Sequence, residues 1–197
     1  MNSRQVYTEM RLGLAMTLGL AMTLCLWACL ALAGEVLSAV VEHNAGRFTI
    51  HSDIRIRVPA DRVRAILTHY ENLPQVNGGI KSVEILQRRA DGSTRMRVAA
   101  GVCILFVCRD YHWVQEATTL SSGDILTVID PEESTFREGK VRYQILPDGN
   151  NTRLVTNADL VPDVWFPPVI GPWLIKHKLH SETLETAEGV EQVAAQK

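Results

Sequence analysis

Apolar and polar residues alternate most regularly between Arg47 and Val58. The apolar positions are Phe48, Ile50, Ile54, Ile56 and Val58. A period of two is typical of a β-strand that has one face in the core and one face in water. Pro59 ends this strand, and the segment from Asp61 to Tyr70 predicts a short helix with its apolar residues on one side.

Further strands are predicted downstream, each with one apolar face. They span Ile80–Arg88, Thr94–Val102, Val107–Glu116, Asp124–Asp130, Ser134–Glu138, Lys140–Leu146 and Thr152–Val161. Turn-forming residues such as Ala90-Asp91-Gly92 separate them. Because these connections are short, we expect neighbouring strands to pair antiparallel.

Prolines interrupt the chain after the last strand, at Pro162, Pro167, Pro168 and Pro172. Each fixes its own φ and favours an extended conformation in the residue before it, so no helix runs through this part. From Pro172 to Val190 a helix is predicted, about 28 Å long at ~1.5 Å per residue. Its apolar residues form an uneven stripe.

The order of strand, short helix, many strands and one long helix predicts an α+β fold. The terminal helix would cover the apolar face of an antiparallel sheet. A strongly twisted sheet curls around such a helix and can leave a hollow between them. We therefore expect the functional site between the sheet and the C-terminal helix.

The first 33 residues have the pattern of a targeting segment. Residues 12–33 carry no charge, and Ala31-Leu32-Ala33 is a small-x-small cleavage signature. Cleavage would leave residues 34–197 as one domain of a periplasmic or secreted protein. The alternatives are a membrane anchor over residues 12–33, which is long enough to span a bilayer, and a lipoprotein modified at Cys29. The true start is either Met1 or Met10.

Charge narrows the class of partner. The chain holds 20 Lys and Arg against 22 Asp and Glu, for a formal net charge of −2. A mildly acidic domain argues against nucleic acid, which needs a basic face. The same balance provides no electrostatic attraction to anionic lipid head groups.

Four segments, Val58–Pro74, Ile80–Leu86, Phe136–Tyr143 and Asn151–Val155, resemble in order and spacing the START-like, or SRPBCC, helix-grip superfamily. That superfamily includes polyketide cyclases/dehydrases, lipid-transfer domains and coenzyme-Q-binding proteins. The resemblance covers about residues 45–187. It implies a curved antiparallel sheet wrapped around a long C-terminal helix, with one or two short helices after the first strand.

The resemblance also implies a hydrophobic cavity, but no single chemistry. We expect it to be lined by Met96, Val98, Trp113, Phe136, Tyr143, Leu154, Trp165, Ile175 and Leu179. Two positions depart from the usual pattern near the expected cavity mouth. His69 stands where these domains often carry an acid, and Asn77-Gly78 replaces a proline-containing turn.

Cys103 and Cys108 flank four apolar residues, Ile104–Val107. If these residues turn a hairpin, the two cysteines face each other across adjacent strands, and we predict a disulfide between them. Two free thiols or half of a metal site are the alternatives, although a C-x4-C pair is poor zinc spacing. The Ile104–Val107 tip either tucks under another loop or forms an apolar rim that meets a membrane or partner.

Aromatic residues precede the long helix, notably Trp165 and Phe166. They either pack in the core or form a lid that contacts a lipid interface. His177 and His180 share a helix face, but no third ligand accompanies them, so no metal and no cofactor are predicted.

No catalytic residue is predicted. Candidate acid–base groups are Tyr143, Tyr111, His112, Arg137 and His69, and none has an identifiable orienting partner. The first functional hypothesis is an exported carrier that holds a lipid, isoprenoid or similar small apolar molecule. A cyclase, dehydratase or hydrolase using the same cavity is the second. An interaction module whose cavity is filled by its own side chains is the third.

Overall fold

A computed structural model of the chain describes residues 34–104, 107–163 and 171–196, without the side chains at 102–104, 107, 109 and 171–180. The strands are β1 (Glu35–Asn44), β2 (Arg47–Ile56), β3 (Ile80–Arg88), β4 (Thr94–Ile104), β5 (Val107–Thr119), β6 (Ile125–Asp130), β7 (Phe136–Asp148) and β8 (Asn151–Pro162). The helices are α1 (Ala60–Thr68), α2 (Leu73–Val76) and α3 (Gly171–Ala195), with 3₁₀ turns at Tyr70–Asn72 and Pro131–Glu133.

The strands form one curved antiparallel sheet in the order β1-β2-β8-β7-β6-β5-β4-β3. Helices α1 and α2 connect β2 to β3, and α3 packs against β1, β2, α1 and α2. The predicted α+β architecture, with a sheet closed by the terminal helix, is confirmed.

Strand β1 is not among the predicted strands. Its register against β2 shifts between Val36 and Ser38, which is a bulge. A bulge reverses the side on which later side chains point, so the apolar residues of β1 do not follow one period of two. Leu37 and Val40 accordingly stay exposed.

Strand β7 replaces two predicted strands, Ser134–Glu138 and Lys140–Leu146. Gly139 reads as a break in the sequence, yet it lies inside the strand, paired with Leu160. A Cβ at this position would overlap the side chain of Ile129 on β6. Glycine is therefore required by close packing and does not mark a turn.

The main core lies between α3, α1 and the inner face of the sheet. Its fully buried members include Ile56 of β2, Val63 of α1, and Ala187 and Val190 of α3. A second buried cluster joins Tyr70 to Met96, Val98 and Ala117. Helix α3 continues to Ala195, past Val190, where the prediction ended it. Gly189 lies inside the helix, and a Cβ at this position would overlap the backbone of Val76 in α2.

Ion pairs cover the outer face of the sheet, and one of them predicts acid sensitivity. Arg95 Nη2 donates to Asp130 Oδ2 and Glu133 Oε1, each at 2.7 Å. The Arg95 hydrogen bond, followed by one from the Glu132 backbone N–H, lowers the pKa of Asp130 below its ordinary 3.8. A carboxylate with a depressed pKa stabilises the fold above its ordinary pKa, and the stabilisation is lost as pH falls through the folded-state value.

We therefore expect Arg95→Met to flatten the acid limb of the stability profile, measured by urea unfolding between about pH 5 and about pH 3. Arg137→Met, which removes an exposed pair to Asp163 at 3.3 Å, is the control. An unchanged acid limb in Arg95→Met would show that the Arg95 hydrogen bond does not stabilise the ionised form of Asp130.

Candidate functional site

A cavity of about 310 Å³ lies between the inner face of the sheet and the middle of α3. Most of its wall is apolar side chain from β2, β7 and β8. The lining residues are Ile50, Ser52, Ile54, Leu67, Trp113, Gln115, Ile129, Phe136, Val141, Tyr143, Leu154, Thr156, Ala158, Leu160, Glu182, Thr183 and Thr186. This volume is at the lower end of the range for small-molecule sites.

A second cavity, of about 180 Å³, lies beneath α1 and α2. Its walls are Leu67, Tyr70, Leu73, Val76, Asn77, Ile80, Gln115, Ile125, Thr127, Tyr143 and Thr186. Four residues belong to both cavities, namely Leu67, Gln115, Tyr143 and Thr186. The two hollows are therefore neighbours that share a wall, and this wall carries polar groups.

Gln115 is oriented by Trp113. The indole Nε1–H of Trp113 donates to Gln115 Oε1 at 2.9 Å. Because an indole N–H only donates, it must meet the amide oxygen, which turns the amide NH₂ the other way. That NH₂ has a weak acceptor in Met96 Sδ at 3.6 Å. It therefore keeps donor capacity for a group in the cavities.

Asn77 connects α2 to α3 at the edge of the smaller cavity. Its Nδ2 donates to Thr186 Oγ1 at 3.0 Å, and Thr186 Oγ1 donates to the Glu182 backbone oxygen at 2.8 Å. Its Oδ1 accepts from the Gly79 backbone N–H at 2.8 Å. Asn77 thus forms a hydrogen-bonded latch between the two helices.

Two phenols face the smaller cavity. Tyr70 is 7% exposed, and burial raises its pKa, with Arg88 as a weaker opposing influence. Burial also raises the pKa of Tyr143, and Tyr70 adds to the effect. Both phenols therefore stay protonated at neutral pH and act as hydrogen-bond donors.

Four residues predicted to line a cavity do so: Trp113, Phe136, Tyr143 and Leu154. Phe136 packs edge-on against Trp113, with ring centroids 5.8 Å apart. Met96 and Val98 are instead 0% and 2% exposed in the second core cluster, and they are not part of these two walls. They share an inward strand face with the lining residues, but Tyr70 and Trp113 pack over them.

Several predictions fall outside the described part of the chain. Trp165 and Phe166 lie there entirely, and the side chains of Ile175, Leu179, His177 and His180 are not described. Three expectations therefore stay predictions. They are the role of Trp165 and Phe166 as core or lid, the cavity-lining role of Ile175 and Leu179, and the shared helix face of His177 and His180.

The β4–β5 hairpin is tighter than predicted. Ile104 pairs with Val107, so residues 105–106 alone connect the strands, and the expected four-residue tip is corrected to two. Cys103 stands directly opposite Cys108, and Cys108 is disulfide-bonded. Because the side chain of Cys103 is not described, the pairing of these two cysteines stays a prediction, and so does the membrane-facing rim.

Of the candidate acid–base residues, Tyr143 lines the cavities. Tyr111 packs against Phe136 with ring centroids 6.4 Å apart, outside these two walls. His112 is exposed, Arg137 pairs with Asp163, and His69 Nδ1 lies 2.6 Å from Asn72 Nδ2. With its pKa raised, Tyr143 is a poor general base at neutral pH.

Sequence reasoning missed Tyr70, Gln115 and Thr186 as wall residues. The signal for Gln115 was available, because it lies two positions after Trp113 in β5 and therefore shares its face. Nothing local indicates Tyr70, which reaches the cavity only because the chain turns after α1.

Within the described residues, no three His, Cys, Asp or Glu side chains cluster in a way that would hold a metal ion. No helix in the described part of the chain is both long and apolar enough to cross a bilayer.

Neither a protein-family model nor a curated protein matches the chain. Several solved structures are similar to the chain. A START superfamily protein of Mycobacterium smegmatis is 24% identical, with a TM-score of 0.60 over 75% of this chain and 97% of that one. The Zhui aromatase/cyclase of Streptomyces sp. R1128 is 14% identical, with a TM-score of 0.61 over 76% and 94%.

A STAR-related lipid transfer protein of Xanthomonas axonopodis is 14% identical, with a TM-score of 0.52 over 78% of this chain and 94% of that one. Identities this low establish a shared fold and leave the chemistry open. The chain therefore has the START-like, or SRPBCC, helix-grip fold.

Proposed function

We propose that residues 34–197 form an exported carrier domain that binds one small apolar molecule, of lipid or isoprenoid type, between the sheet and α3. The observation that carries this proposal is the cavity of about 310 Å³ with predominantly apolar walls. Water in a cavity of this size meets apolar side chains, and an apolar ligand would remove that surface from water.

The driving force would be burial of apolar surface, at about 25 cal/mol per Å². The polar groups on the shared wall would fix the orientation of the ligand and contribute less to its affinity. The lipid-transfer and aromatase/cyclase neighbours share this fold, which supports a ligand-binding role. Export rests on the leader pattern of residues 1–33, and the predicted Cys103–Cys108 disulfide agrees with an oxidising compartment.

The test is native mass spectrometry of protein purified without detergent from the periplasm of a bacterium that expresses the full chain. We expect a species heavier than the polypeptide by the mass of one small apolar molecule, and organic extraction should remove that mass. Extraction should also lower the thermal midpoint, because a ligand bound to the folded state stabilises it. A bare polypeptide that also fails to take up the apolar dye N-phenyl-1-naphthylamine would overturn the carrier proposal.

A further inference from the structure

The smaller cavity is lined by more hydrogen-bond donors than the described protein groups use. Neither the Tyr70 nor the Tyr143 hydroxyl has a hydrogen-bond partner among the described residues. The Gln115 NH₂ has a sulfur atom as its acceptor, and its oxygen is occupied by Trp113. Donors that line a cavity without a protein partner normally meet water or a ligand.

The other polar side chains of the smaller cavity, those of Asn77, Thr127 and Thr186, are already paired. Thr186 donates to the Glu182 carbonyl and accepts from Asn77. Thr127 Oγ1 donates to the Val141 carbonyl at 3.4 Å. A phenol hydroxyl can donate or accept, whereas the free N–H of Gln115 can only donate. An acceptor is therefore the kind of ligand group that engages all three residues.

Charge selects the kind of acceptor. Arg88, the cation that acts on Tyr70, is engaged with Glu71 in an exposed ion pair. Among the described wall residues of both cavities there is no Lys, Arg or His, and the larger cavity includes Glu182. A carboxylate or phosphate would lose its hydration there without a counter-ion among the described wall residues, which is costly. A neutral carbonyl group loses far less hydration free energy on burial, and it accepts hydrogen bonds from phenol and amide donors.

We propose that Tyr70, Tyr143 and Gln115 form a polar subsite that binds the neutral carbonyl group of an otherwise apolar ligand. This inference rests on the carrier function proposed above, and it specifies the ligand class: a ketone, quinone, ester or lactone whose apolar remainder occupies the larger cavity. The three groups come from the 3₁₀ turn after α1, from β7 and from β5, so the subsite exists only in the folded protein.

The experiment compares 2-nonanone, nonane and nonanoate as displacers of N-phenyl-1-naphthylamine from the delipidated protein. We expect Tyr70→Phe and Tyr143→Phe each to weaken 2-nonanone binding about fivefold, and the double variant roughly 25-fold, because one hydrogen bond is lost at each step. Nonane binding should stay within about twofold in every variant, since no apolar contact is removed. Tyr111→Phe, which deletes a phenol hydroxyl outside both walls, is the matched control.

A second readout follows the ligand itself. The infrared carbonyl stretch of bound 2-nonanone should lie at lower frequency in the wild type than in the double variant, which a purely structural role of the tyrosines would not produce. Nonane and 2-nonanone both failing to bind would overturn the carrier function. Nonane binding with an unchanged 2-nonanone affinity in the double variant would overturn the subsite and leave the carrier intact. Tighter binding of nonanoate than of 2-nonanone would refute the preference for a neutral group.

Discussion

Replacing Ala158 by Phe is expected to weaken the binding of an apolar ligand about 30-fold while the protein stays folded. Ala158 lies in β8, opposite Ile50 of β2 and Val141 of β7, and all three side chains line the larger cavity. Ala158 is 7% exposed, and it belongs to the cavity wall. A phenyl ring at this position would therefore enter the cavity.

The magnitude follows from the area that the ring takes from the ligand. If the ring displaces about 80 Å² of ligand surface, the loss at about 25 cal/mol per Å² is about 2 kcal/mol, or roughly 30-fold in Kd. Overpacking usually destabilises a core by about 1–3 kcal/mol, but here an existing void accepts the added atoms. We therefore expect the midpoint of unfolding to hold or rise.

Fluorescence titration with N-phenyl-1-naphthylamine measures the effect. Asn157→Phe is the control, because Asn157 is the neighbouring residue on the outer face, where it contacts His51. That variant adds the same ring without entering the cavity. Equal dye affinity in Ala158→Phe and wild type, with both folded, would show that the ligand does not occupy this space.

Replacing Gly189 by Ala is expected to lower the free energy of unfolding by about 3 kcal/mol, although Ala is the better helix former by about 1 kcal/mol. A Cβ on Gly189 would overlap the carbonyl oxygen of Val76 and lie 2.6 Å from its carbonyl carbon. Backbone atoms cannot rotate away as a side chain does, so α2 would have to move off α3.

This displacement would reach the site. Val76 and Asn77 are walls of the smaller cavity, and the latch from Asn77 to Thr186 holds α2 against α3. Separation of the two helices would break the latch and open the smaller cavity to solvent. A loss of preference for 2-nonanone should therefore accompany the loss of stability.

Urea unfolding measures the stability change, with Gly78→Ala as the control. A Cβ on Gly78 would have no heavy atom within 4 Å, and its φ is not in the left-handed region. We expect that variant to lie within about 0.5 kcal/mol of wild type. A gain in stability in Gly189→Ala would mean that helix propensity outweighs the contact, and that α2 and α3 are not closely apposed.

Glycines in turns and glycines at packing contacts show why predictions from neighbouring residues succeed at some positions and fail at others. Gly92 lies between predicted strands and has a positive φ, as a turn requires. Gly139 separates two predicted strands, yet it lies within β7, and Gly189 stands next to the predicted end of the long helix, yet α3 continues past it. There the absence of a side chain serves a neighbour distant in sequence, Ile129 in one case and Val76 in the other.

Some of the cavity-lining residues could likewise be predicted from the sequence, and others could not. Trp113, Phe136, Tyr143 and Leu154 were identified because alternation in a strand decides which side chains face the helix. Met96 and Val98 face the same way but are covered by other side chains. Facing inward is a property of one strand, whereas lining a void depends on whatever packs above the residue.

By itself, the amino-acid sequence determined the order of the elements, the apolar face of most strands and the helix that closes the sheet. These follow from periods of two and 3.6 and from proline and glycine positions, which act over a few residues. The tertiary structure alone decided that a void remains, how large it is and which donors line it. A void is the small difference between the space enclosed by the sheet and the side-chain volume that fills it, and groups as distant in sequence as Tyr70, Gln115 and Tyr143 become one site only when the chain has folded.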